Sequence, residues 1–521
     1  MPVWKTLRHN GVAFPDAYVP RGTGISVRGQ PVELSPLAEE MAYGFAKKKD
    51  TPYVQDPVFV ENFMKYFSKE LPTEFRGVKF SEIDLSRFYA LVDEEKRAKE
   101  NLTKDYKKSQ AAMRKLRREE LKARYGKATI DGKEVEIANW LAEPPGLFMG
   151  RGAHPLRGSW KPRVEPREVT LNLDESAPRP EGWTGKVVCE PESIWIAKWI
   201  DRLTGKEKYV WPHESSEIQQ SRNKEKYDKA LRIGGQLERL RKAILKSMGS
   251  KDPRAAKTAT VCYLIDRLGM RVGDEKDEDE ADTVGATTLR VEHIKIDERK
   301  VEFDFLGKDS VRWVKSVDLP EPTLVQNLRE FTAGKKPTDE VFDVVTSGMV
   351  NQFLSGVVRG ATAKVFRTFH ASVVTERSLR ARDVRNGDDL EKLYFAKEAN
   401  LEAAIFCNHK RTPPKNWDDS LKKKEQKLEE YKTKGKESMV RKMSMNVEFT
   451  RRTKEYNLNT SLKNYIDPRI YRSWCDYVGL DWSKLYTTSL QRKFSWAAKS
   501  RRPWSEEQER DEPAVTVQQT G

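Results

Sequence analysis

Two densely charged stretches interrupt the chain, and they limit where hydrophobic cores can form. From about residue 92 to 125 the apolar residues recur roughly at helical spacing, but they leave only a narrow stripe among the charged ones. Residues 416–456 are again dense in Lys and Glu, with Leu421 and Leu428 one heptad apart. Because a single core is unusual in a chain of 521 residues, we predict two or more lobes that each have a core.

The first charged stretch predicts one long basic helix over about 92–125. Two roles are open for it: a solvated helix rich in ion pairs, or a basic helix that projects over a phosphate backbone. In the second stretch Gly435 interrupts the helical pattern, so we predict two short antiparallel helices that pack as a small coiled coil. Residue types used in catalysis do not cluster there, and we interpret the segment as a linker arm.

The composition favours packed intracellular domains with a polyanionic partner. Lys and Arg number 96 against 80 Asp and Glu, a net charge of +16, and nucleic acid is the commonest partner of a basic surface. The aromatic residues, 13 Trp, 17 Tyr and 20 Phe, argue for packed domains with charged surfaces and against a disordered chain. The four cysteines are far apart and form no Cys-x-x-Cys, which argues against a zinc site or a disulfide framework. No apolar run approaches the roughly 20 residues of a membrane span, and the N-terminus lacks the apolar stretch of a secretory signal.

Residues 217–412 have the pattern of a mostly helical domain with one β insertion. Apolar residues at i, i+3, i+4 and i+7 from Val261 to Leu268 predict a helix with one buried face, and Arg271 follows just beyond it. Alternating apolar residues on both sides of a Gly-Lys-Asp-Ser turn predict a β-hairpin with Lys308 near its tip. A lysine in that position can reach well beyond the domain surface.

The remaining stretches have less distinctive patterns. Residues 1–90 mix short apolar runs with Pro and Gly, which indicates an α/β or α+β module. Residues 143–168 are loop-like, with glycines that allow a close backbone approach to a ligand and with charge from Arg151 and Arg157. After residue 501 the chain is polar, and we expect a disordered tail.

A tyrosine near the C-terminal end is the strongest candidate for a catalytic group. Tyr465 by itself is a poor nucleophile, but it can attack a phosphodiester when cations neutralise the non-bridging oxygens and an acid protonates the leaving oxygen. The chain offers Arg271, Lys308, Arg367 and His409 for those roles. Taken one at a time, residues of these types are more often structural or merely solvated. Their significance depends on their occurring together.

Seven motifs follow one another along the chain. They lie at 271–276, 282–285, 289–294, 302–310, 363–368, 407–411 and 464–469. In sequence and in order they closely resemble the motifs of the catalytic core of eukaryotic type IB DNA topoisomerases. The resemblance extends from roughly residue 5 to residue 497, and agreement on that scale is implausible by chance.

The resemblance implies a reaction and a role for each of the five candidates. Tyr465 attacks phosphorus and forms a 3′-phosphotyrosyl link, which releases a 5′-hydroxyl on the cut strand. Arg271 and Arg367 contact the non-bridging oxygens, for which a planar guanidinium is suited, and His409 donates to the same phosphate. Lys308 protonates the departing 5′-oxygen as general acid. No metal and no cofactor are implied, because side chains supply the charge, and no ATP, because the covalent link stores the bond energy.

The resemblance also implies an α+β multidomain fold arranged as a bilobed clamp around duplex DNA. The cut strand then rotates about the intact one, so that positive and negative supercoils are both released. The implied parts are an α/β cap at 1–216 with the basic helix, a mostly helical catalytic domain like that of tyrosine recombinases at 217–412, a coiled-coil linker at 413–456, a C-terminal piece at 457–500 and a tail at 501–521. Further DNA contacts are implied at Arg151, Lys208, Tyr209, Asp309, Lys364 and Asn464.

Partners and location follow from the same resemblance. We expect a monomer that acts on double-stranded DNA, without a membrane or a small-molecule substrate, and with a site for camptothecin-type poisons at the cleaved DNA interface. Sequence specificity is expected to be low because phosphate contacts dominate the affinity. The expected location is the nucleus. The family's long basic N-terminal extension is absent from this sequence, so a mitochondrial or viral origin stays open.

Two positions depart from the family pattern. Where the family has Ser-Lys-x-Asn-Tyr, this chain reads Ser-Leu-Lys-Asn-Tyr, so that Lys463 is displaced by one residue, which turns a helical side chain by about 100°. Met149 stands where the family has an arginine near the DNA and the drug. Two alternatives therefore accompany the main hypothesis. One is a tyrosine recombinase, against which the cap and the linker argue, and the other is a DNA-binding protein that has lost catalysis, for which Lys463 is the only support.

Overall fold

The structure, a computed structural model, divides the chain into two units that each contain helices and strands. It describes residues 2–273, 282–297, 299–500 and 504. Among these, residues 2–219 belong to the first unit and the residues from 220 onward to the second. The mixture of helices and small sheets is an α+β fold, as the sequence predicted. The predicted disordered tail lies, except for residue 504, outside the described residues, and so does the 274–276 part of the first motif.

The first unit combines helices with small sheets. Its α-helices are α1 (Pro36–Ala46), α2 (Pro57–Phe67), α3 (Ser86–Asn101) and α4 (Lys104–Tyr125). Its strands are β1 (Leu7–His9), β2 (Ile25–Val27), β3 (Gln30–Val32), β4 (Ile83–Asp84), β5 (Lys127–Ile130), β6 (Lys133–Glu136), β7 (Gly146–Leu147), β8 (Trp160–Lys161), β9 (Thr170–Asn172), β10 (Val187–Val188), β11 (Ala197–Ile200) and β12 (Glu207–Val210). The sheet orders are β1-β5-β6, β3-β2-β4, β7-β8 and β10-β9-β11-β12, and the pair β9–β10 is parallel whereas the others are antiparallel.

Two hydrophobic clusters stabilise the first unit. One buries apolar side chains of β1, β5, β9, β11 and β12, and the other packs phenylalanines of α1 and α2 around Trp160. The sequence fixes where α1 and α2 begin, because each starts with a proline that follows a capping side chain. Ser35 accepts a hydrogen bond from the N–H of Ala38, and Asp56 accepts one from the N–H of Val58.

The predicted single helix over 92–125 is wrong in its bounds, because two helices occupy this stretch. Helix α3 ends at Asn101, and the Thr103 hydroxyl then caps α4 by accepting a hydrogen bond from the Tyr106 N–H at 3.2 Å. Helix α4, every residue of which the structure describes, contains no buried residue, although Leu121 and Tyr125 at its C-terminal end pack partly against the first cluster. The rest of α4 is a basic, exposed helix.

The second unit is mostly helical. Its α-helices are α5 (Glu217–Gly235, which begins at the boundary between the units), α6 (Leu237–Met248), α7 (Pro253–Leu268), α8 (Pro322–Thr332), α9 (Ser347–Val357), α10 (Ala363–Arg380), α11 (Asp389–Phe406), α12 (Trp417–Thr433), α13 (Glu437–Arg452), α14 (Leu458–Asn464), α15 (Pro468–Val478), α16 (Thr488–Lys493) and α17 (Ser495–Ala498). Its strands are β13 (Ile294–Ile296), β14 (Lys300–Gly307) and β15 (Val311–Asp318), which form one antiparallel sheet in that order.

Helix α7 is the centre of the larger core in this unit. The apolar spacing predicted one buried face, but nearly every residue from Ala256 to Leu268 is buried. The prediction was too narrow because residues between the apolar positions, such as Ala259 and Cys262, are small and uncharged, so that α6, α8, α9, α10 and β15 can pack around the helix. Gly269 ends the helix in the left-handed conformation with φ 65°.

The predicted hairpin is confirmed, and it belongs to a three-stranded sheet. Strands β14 and β15 pair in register as far as Gly307 and Val311, and residues 308–310 form the turn. Asp309 and Ser310 both have positive φ, 68° and 56°. Strand β13 was not predicted, because its three residues are too few to show an alternating pattern.

Helices α12 and α13 form an antiparallel pair with a turn at Gly435. Lys424 donates to the Thr450 hydroxyl at 2.9 Å, and Asp418, nearer the start of α12, pairs at 3.8 Å with Lys454, just beyond the end of α13, so the two chain directions are opposite. Within these two helices, all of whose residues are described, Val447 is the one buried side chain. The last helices, α14 to α17, pack against α10 and α11 and form a separate hydrophobic cluster of the second unit, which we call the C-terminal cluster. None of the described helices combines the length and the apolar content needed to cross a bilayer.

Candidate active site

Tyr465 lies in the tight connection between α14 and α15, and its backbone is held on several sides. It caps α14 by donating its N–H to the Ser461 carbonyl at 2.9 Å. Ser372 of α10 donates to the Tyr465 carbonyl at 3.3 Å. Lys226 of α5 donates to the Asn464 carbonyl at 2.8 Å. Contacts from two other helices therefore fix the peptide units on both sides of the tyrosine.

The Tyr465 hydroxyl lies between two guanidinium groups. Its oxygen is 3.4 Å from Nη1 of Arg271 and 3.4 Å from Nη1 of Arg367, and the side chain is 7% exposed. Burial alone would raise the pKa of the Tyr465 phenol, but the charges of Arg367 and Arg271 outweigh it and lower this pKa below the ordinary value. The two arginines thus favour the phenolate, which is the nucleophilic form.

Arg367 is a buried cation in the interior of α10. It is 3% exposed, and its Nη2 donates to the Cys407 carbonyl at 2.9 Å. Its Nε has no hydrogen-bond partner among the described residues. Burial, and then the charge of Arg367, lowers the pKa of Arg271. Burying two positive charges close together raises the free energy of the protein unless an anion binds between them. The pair of arginines therefore has the character of an anion-binding site.

His409 is positioned by the way α11 ends. Asn408 adopts a left-handed conformation with φ 50° and donates to the Ile405 carbonyl, and His409 donates its N–H to the Ala404 carbonyl at 2.8 Å. This pair of bonds is a Schellman motif, which fixes the direction in which the chain leaves the helix. The imidazole lies 4.9 Å from the Tyr465 ring, centroid to centroid.

The imidazole of His409 is neutral and has unused hydrogen-bonding capacity. The side chain is 4% exposed, and neither ring nitrogen has a hydrogen-bond partner among the described residues. Burial, followed by the charges of Arg367 and Arg271, lowers the pKa of His409 to about 2. A neutral imidazole has one N–H, which can be donated to a phosphate oxygen that enters the site.

Lys308 and Asp309 line the same cleft as Arg271, Arg367 and His409. The cleft has a volume of about 110 Å³ and lies beside the turn of the hairpin. Lys308 is exposed at that turn, so its long side chain has room to reach a group held in the cleft. The structure thus brings four of the five predicted catalytic residues to one cleft and the fifth, Tyr465, against two of them. Among the described residues no group of three or more His, Cys, Asp or Glu side chains is arranged to hold a metal ion.

Two more predicted DNA contacts belong to the second unit. Lys364 is exposed in the first turn of α10, where Thr362 caps the helix by accepting from the Val365 N–H at 3.3 Å. It stands three residues before Arg367, and a helix N-terminus also favours an anion. Asn464, at the end of α14, is half-buried beside Tyr465.

The other predicted contacts belong to the first unit, where acidic side chains lie near some of them. On β12 the Lys208 ammonium is 3.7 Å from a Glu143 oxygen and 3.8 Å from an Asp201 oxygen, while Tyr209 donates its hydroxyl to Glu207. Arg151 is exposed in its loop. A phosphate that binds Lys208 has to compete with the two carboxylates.

Arg157 does not supply a free charge as the sequence suggested. It forms a two-pronged ion pair with Asp56, with one hydrogen bond at 3.0 Å, and its side chain is largely buried. Sequence alone did not indicate this pair because the two residues are 101 positions apart. The arginine instead stabilises the start of α2.

At both positions that depart from the family pattern, the structure shows an apolar side chain packed against a hydrophobic cluster. Leu462 occupies the position where the resemblance predicts lysine, and it packs partly against the C-terminal cluster, whereas Lys463 is exposed on α14. Met149 packs against the α1–α2 cluster of the first unit. Both apolar side chains therefore contribute packing at positions where the family has a charge.

Sequence reasoning missed Lys315 and Lys226. Lys315 lies on β15 in the same phase as Trp313 and Val317, and all three are buried. Its position on the apolar face of an alternating strand could therefore have predicted from the sequence that this lysine is buried. Lys226 left no such signal, because it lies among many other charged residues of α5.

Comparison with known proteins gives the family of each part of the chain. Residues 2–212 match the model of the eukaryotic DNA topoisomerase I DNA binding fragment, and residues 215–442 match the model of the eukaryotic DNA topoisomerase I catalytic core. Residues 437–506 match the model of a C-terminal topoisomerase domain. The three matches follow one another with one short overlap and cover nearly the whole chain.

Several curated proteins are similar to this chain along most of its length. DNA topoisomerase 1 beta of Arabidopsis thaliana is 36% identical over 95% of this chain and 58% of its own length. DNA topoisomerase 1 of Homo sapiens is 33% identical over 95% of this chain and 70% of its own length. DNA topoisomerase 1 of Xenopus laevis is 34% identical over 94% of this chain and 64% of its own length. The chain thus spans between 58% and 70% of the lengths of these relatives.

Proposed function

The chain belongs to the eukaryotic DNA topoisomerase I family, and we propose that it relaxes positive and negative supercoils of DNA as a type IB enzyme. In the proposed reaction one strand of double-stranded DNA is cut, the duplex rotates in a controlled way about the intact strand, and the cut is resealed. The observation that carries the proposal is the Tyr465 hydroxyl held 3.4 Å from two guanidinium groups in a buried site.

Cleavage exchanges one phosphodiester for another. The Tyr465 oxygen attacks phosphorus, the bond from that oxygen to phosphorus forms, and the bond from phosphorus to the 5′-oxygen breaks. Lys308 gives a proton to the departing 5′-oxygen, and the phenol proton leaves to solvent, which the lowered pKa of Tyr465 favours. Religation reverses these steps, because the 5′-hydroxyl attacks phosphorus and the phenolate leaves.

The cations act on the charge that grows in the transition state. A pentacoordinate phosphorane carries more negative charge on its non-bridging oxygens than the diester, so fixed donors stabilise it more than the ground state. Arg271 and Arg367 bind those oxygens, and His409 donates its N–H to one of them. Because these side chains supply the charge and the phosphotyrosyl bond conserves the energy of the cut ester, the proposed reaction uses neither a metal nor ATP.

The remaining predicted residues act as DNA contacts in this proposal. Arg151, Lys208, Tyr209, Asp309, Lys364 and Asn464 bind the duplex beside the cut, with Lys208 exchanging its carboxylate neighbours for phosphate. We further propose that the parts are used as the resemblance implies, with residues 1–216 as a cap, 217–412 as the catalytic domain, 413–456 as a linker and 457–500 as the bearer of the nucleophile. The protein acts as a monomer in the nucleus, and Met149 lies in the loop beside which a camptothecin-type poison would bind.

The test is relaxation of a supercoiled plasmid in EDTA without ATP. The wild-type protein relaxes plasmids of either supercoil sign, and Tyr465→Phe does not, although it binds DNA with an affinity close to that of the wild type. Tyr431→Phe, on the solvent-facing pair α12–α13, serves as the matched control and keeps full activity. Denaturation during the reaction with a 5′-labelled strand traps a protein-linked fragment, because the tyrosine holds the 3′ end.

Two results would contradict the proposal. A wild-type protein that binds DNA but neither relaxes plasmid nor forms the covalent product would be a binding protein that has lost catalysis. Relaxation by Tyr465→Phe at the wild-type rate would show that Tyr465 is not the nucleophile. Strand exchange between two labelled duplexes would identify a recombinase instead.

A further inference from the structure

A buried lysine connects the elements that carry three of the proposed catalytic residues. Lys315 lies on β15 and is 6% exposed. Its ammonium donates to the Leu268 carbonyl at 2.8 Å and to the Phe406 carbonyl at 2.5 Å. The ring of Phe406 lies 4.9 Å from the same nitrogen, and that of Trp313 5.4 Å. A single charge therefore contacts a strand and two helices.

Both carbonyls belong to the last residues of helices. Leu268 ends α7 and Phe406 ends α11, and the final carbonyls of a helix have no partner within the helix and carry its negative partial charge. A buried ammonium is a strong donor for such groups. The neighbouring carbonyl of Cys407 accepts from Arg367 in the same way.

Each of these helix ends stands three residues before a proposed catalytic group. The chain runs from Leu268 to Arg271 and from Phe406 to His409, with one left-handed residue in each connection, Gly269 and Asn408. The two ends also meet directly. A Cβ added to Gly269 would come within 2.8 Å of the Phe406 ring. Any movement of one helix end relative to the other would therefore move Arg271 relative to His409.

The strand that carries Lys315 leads back to the turn with Lys308. Strands β14 and β15 pair over their whole length, so a fixed Lys315 limits how far the hairpin can tilt. We propose that Lys315 is a positioning residue for strand cleavage, in which its ammonium holds the ends of α7 and α11 and thereby sets Arg271 and His409 relative to the hairpin of Lys308. The proposal rests on the proposed function and concerns a residue that does not touch the reacting atoms.

The cost of burying this charge supports a functional role. Burial lowers the pKa of Lys315 to about 7, with Arg367 acting in the same direction and Cys407 in the opposite one. An apolar side chain of similar length would pack in the same place without that cost, and replacing buried charges in this way is often neutral or stabilising. The lysine also contributes to the field that keeps His409 neutral.

The experiment separates catalysis from binding and from stability. Lys315→Met keeps the length of the side chain but removes the charge and both hydrogen bonds, whereas Lys315→Arg keeps the charge and the donors. Lys392→Met, which replaces another buried lysine of the same unit, is the matched control. For each variant we would measure, at a pH below 7 where Lys315 holds its proton, the rate of single-turnover cleavage on a suicide DNA substrate at saturating protein, the Kd for DNA and the thermal midpoint.

We expect Lys315→Met to slow cleavage by about 10- to 100-fold, because small displacements of catalytic groups have effects of this size. The Kd for DNA stays within about threefold of the wild type, Lys392→Met cleaves at the wild-type rate, and Lys315→Arg recovers most of the lost rate. A loss confined to the cleavage rate is what a merely structural residue would not produce.

Other results would overturn the proposal. Cleavage by Lys315→Met within threefold of the wild type, a defect in Kd alone, or a lack of any recovery in Lys315→Arg would each contradict a positioning role. If Lys315→Met shows no cooperative thermal transition, Lys315→Gln, which keeps a neutral N–H donor, is judged by the same thresholds. Failure of the wild-type protein to form the covalent product in this assay would instead refute the proposed function.

Discussion

Replacing Arg367 with alanine tests whether buried positive charge drives the chemistry. The residue is in the interior of α10, and its removal leaves Arg271 in place on the other side of the Tyr465 hydroxyl. The substitution also removes the hydrogen bond to the Cys407 carbonyl. Because Arg367 lowers the pKa of Arg271, of His409 and of Lys315, all three pKa values rise when it is removed.

The magnitude follows from the distance between the guanidinium and the nucleophile. Nη1 of Arg367 is 3.4 Å from the Tyr465 oxygen, and two unit charges so placed interact by about 5 kcal/mol at an effective dielectric constant of 20. Only part of that interaction distinguishes the transition state, and removing one fixed donor to a developing oxyanion typically costs about 3–4 kcal/mol. We therefore expect Arg367→Ala to slow cleavage by roughly 10²- to 10³-fold.

The assay is single-turnover cleavage of a labelled suicide substrate, with DNA affinity measured in parallel. Arg254→Ala removes an exposed arginine from the first turn of α7 and is the matched control, with a cleavage rate equal to that of the wild type. If Arg367→Ala cleaved within threefold of the wild-type rate at saturating protein, charge at this position would not stabilise the transition state. The electrostatic account of the site would then be wrong.

Four further predictions concern other parts of the site. Lys308→Ala slows cleavage strongly on an ordinary phosphodiester and much less on a 5′-bridging phosphorothiolate, whose thiolate leaves without a proton, and equal damage on both substrates would assign Lys308 to phosphate binding. Lys463→Ala changes the activation free energy of single-turnover cleavage by less than about 1 kcal/mol, because the residue is exposed. Leu462→Lys lowers the thermal midpoint, because Leu462 packs against the C-terminal cluster. Plotted as log affinity against log salt, DNA binding has a slope of roughly −0.9 for each phosphate neutralised, and a flat plot would contradict extensive phosphate contact. The pKa of Lys315 is about 7 in the folded protein and has the ordinary lysine value of 10.5 in the unfolded chain, so between these two pH values the unfolded chain binds the extra proton. The free energy of unfolding, measured in denaturant titrations, therefore rises with pH over this range, and Lys315→Met lacks this rise.

Local patterns in the sequence predicted the parts of this site that depend on near neighbours. The alternation on both sides of residues 307–310 located the hairpin and Lys308, and Gly435 located the turn between α12 and α13. Arg271 was correctly expected beyond the end of α7, because Gly269 stops the helix. In each case the determining residues lie close together along the chain.

Features that depend on distant residues could not be predicted in the same way. The all-round burial of α7 results from neighbours on five other elements, and the pairing of Arg157 with Asp56 joins two loops. The break at Thr103 was readable from its capping residue, but the charge on both sides suggested a continuous helix. The convergence of Arg271, Arg367, His409 and Tyr465 was expected from the resemblance to a family, not from spacing along the chain.

The cluster of cations around Tyr465 has a consequence for the balance between cut and intact DNA. The charges that most perturb this site come from Arg367, Arg271 and Lys315. In the proposed reaction the scissile phosphate is a diester with one negative charge both in the intact strand and on the tyrosine. The same fixed cations therefore surround the same anion before and after cleavage, and they lower the barrier without favouring either side. A site built in this way accelerates cleavage and religation alike, and it leaves the equilibrium between the cut and the intact strand to other interactions.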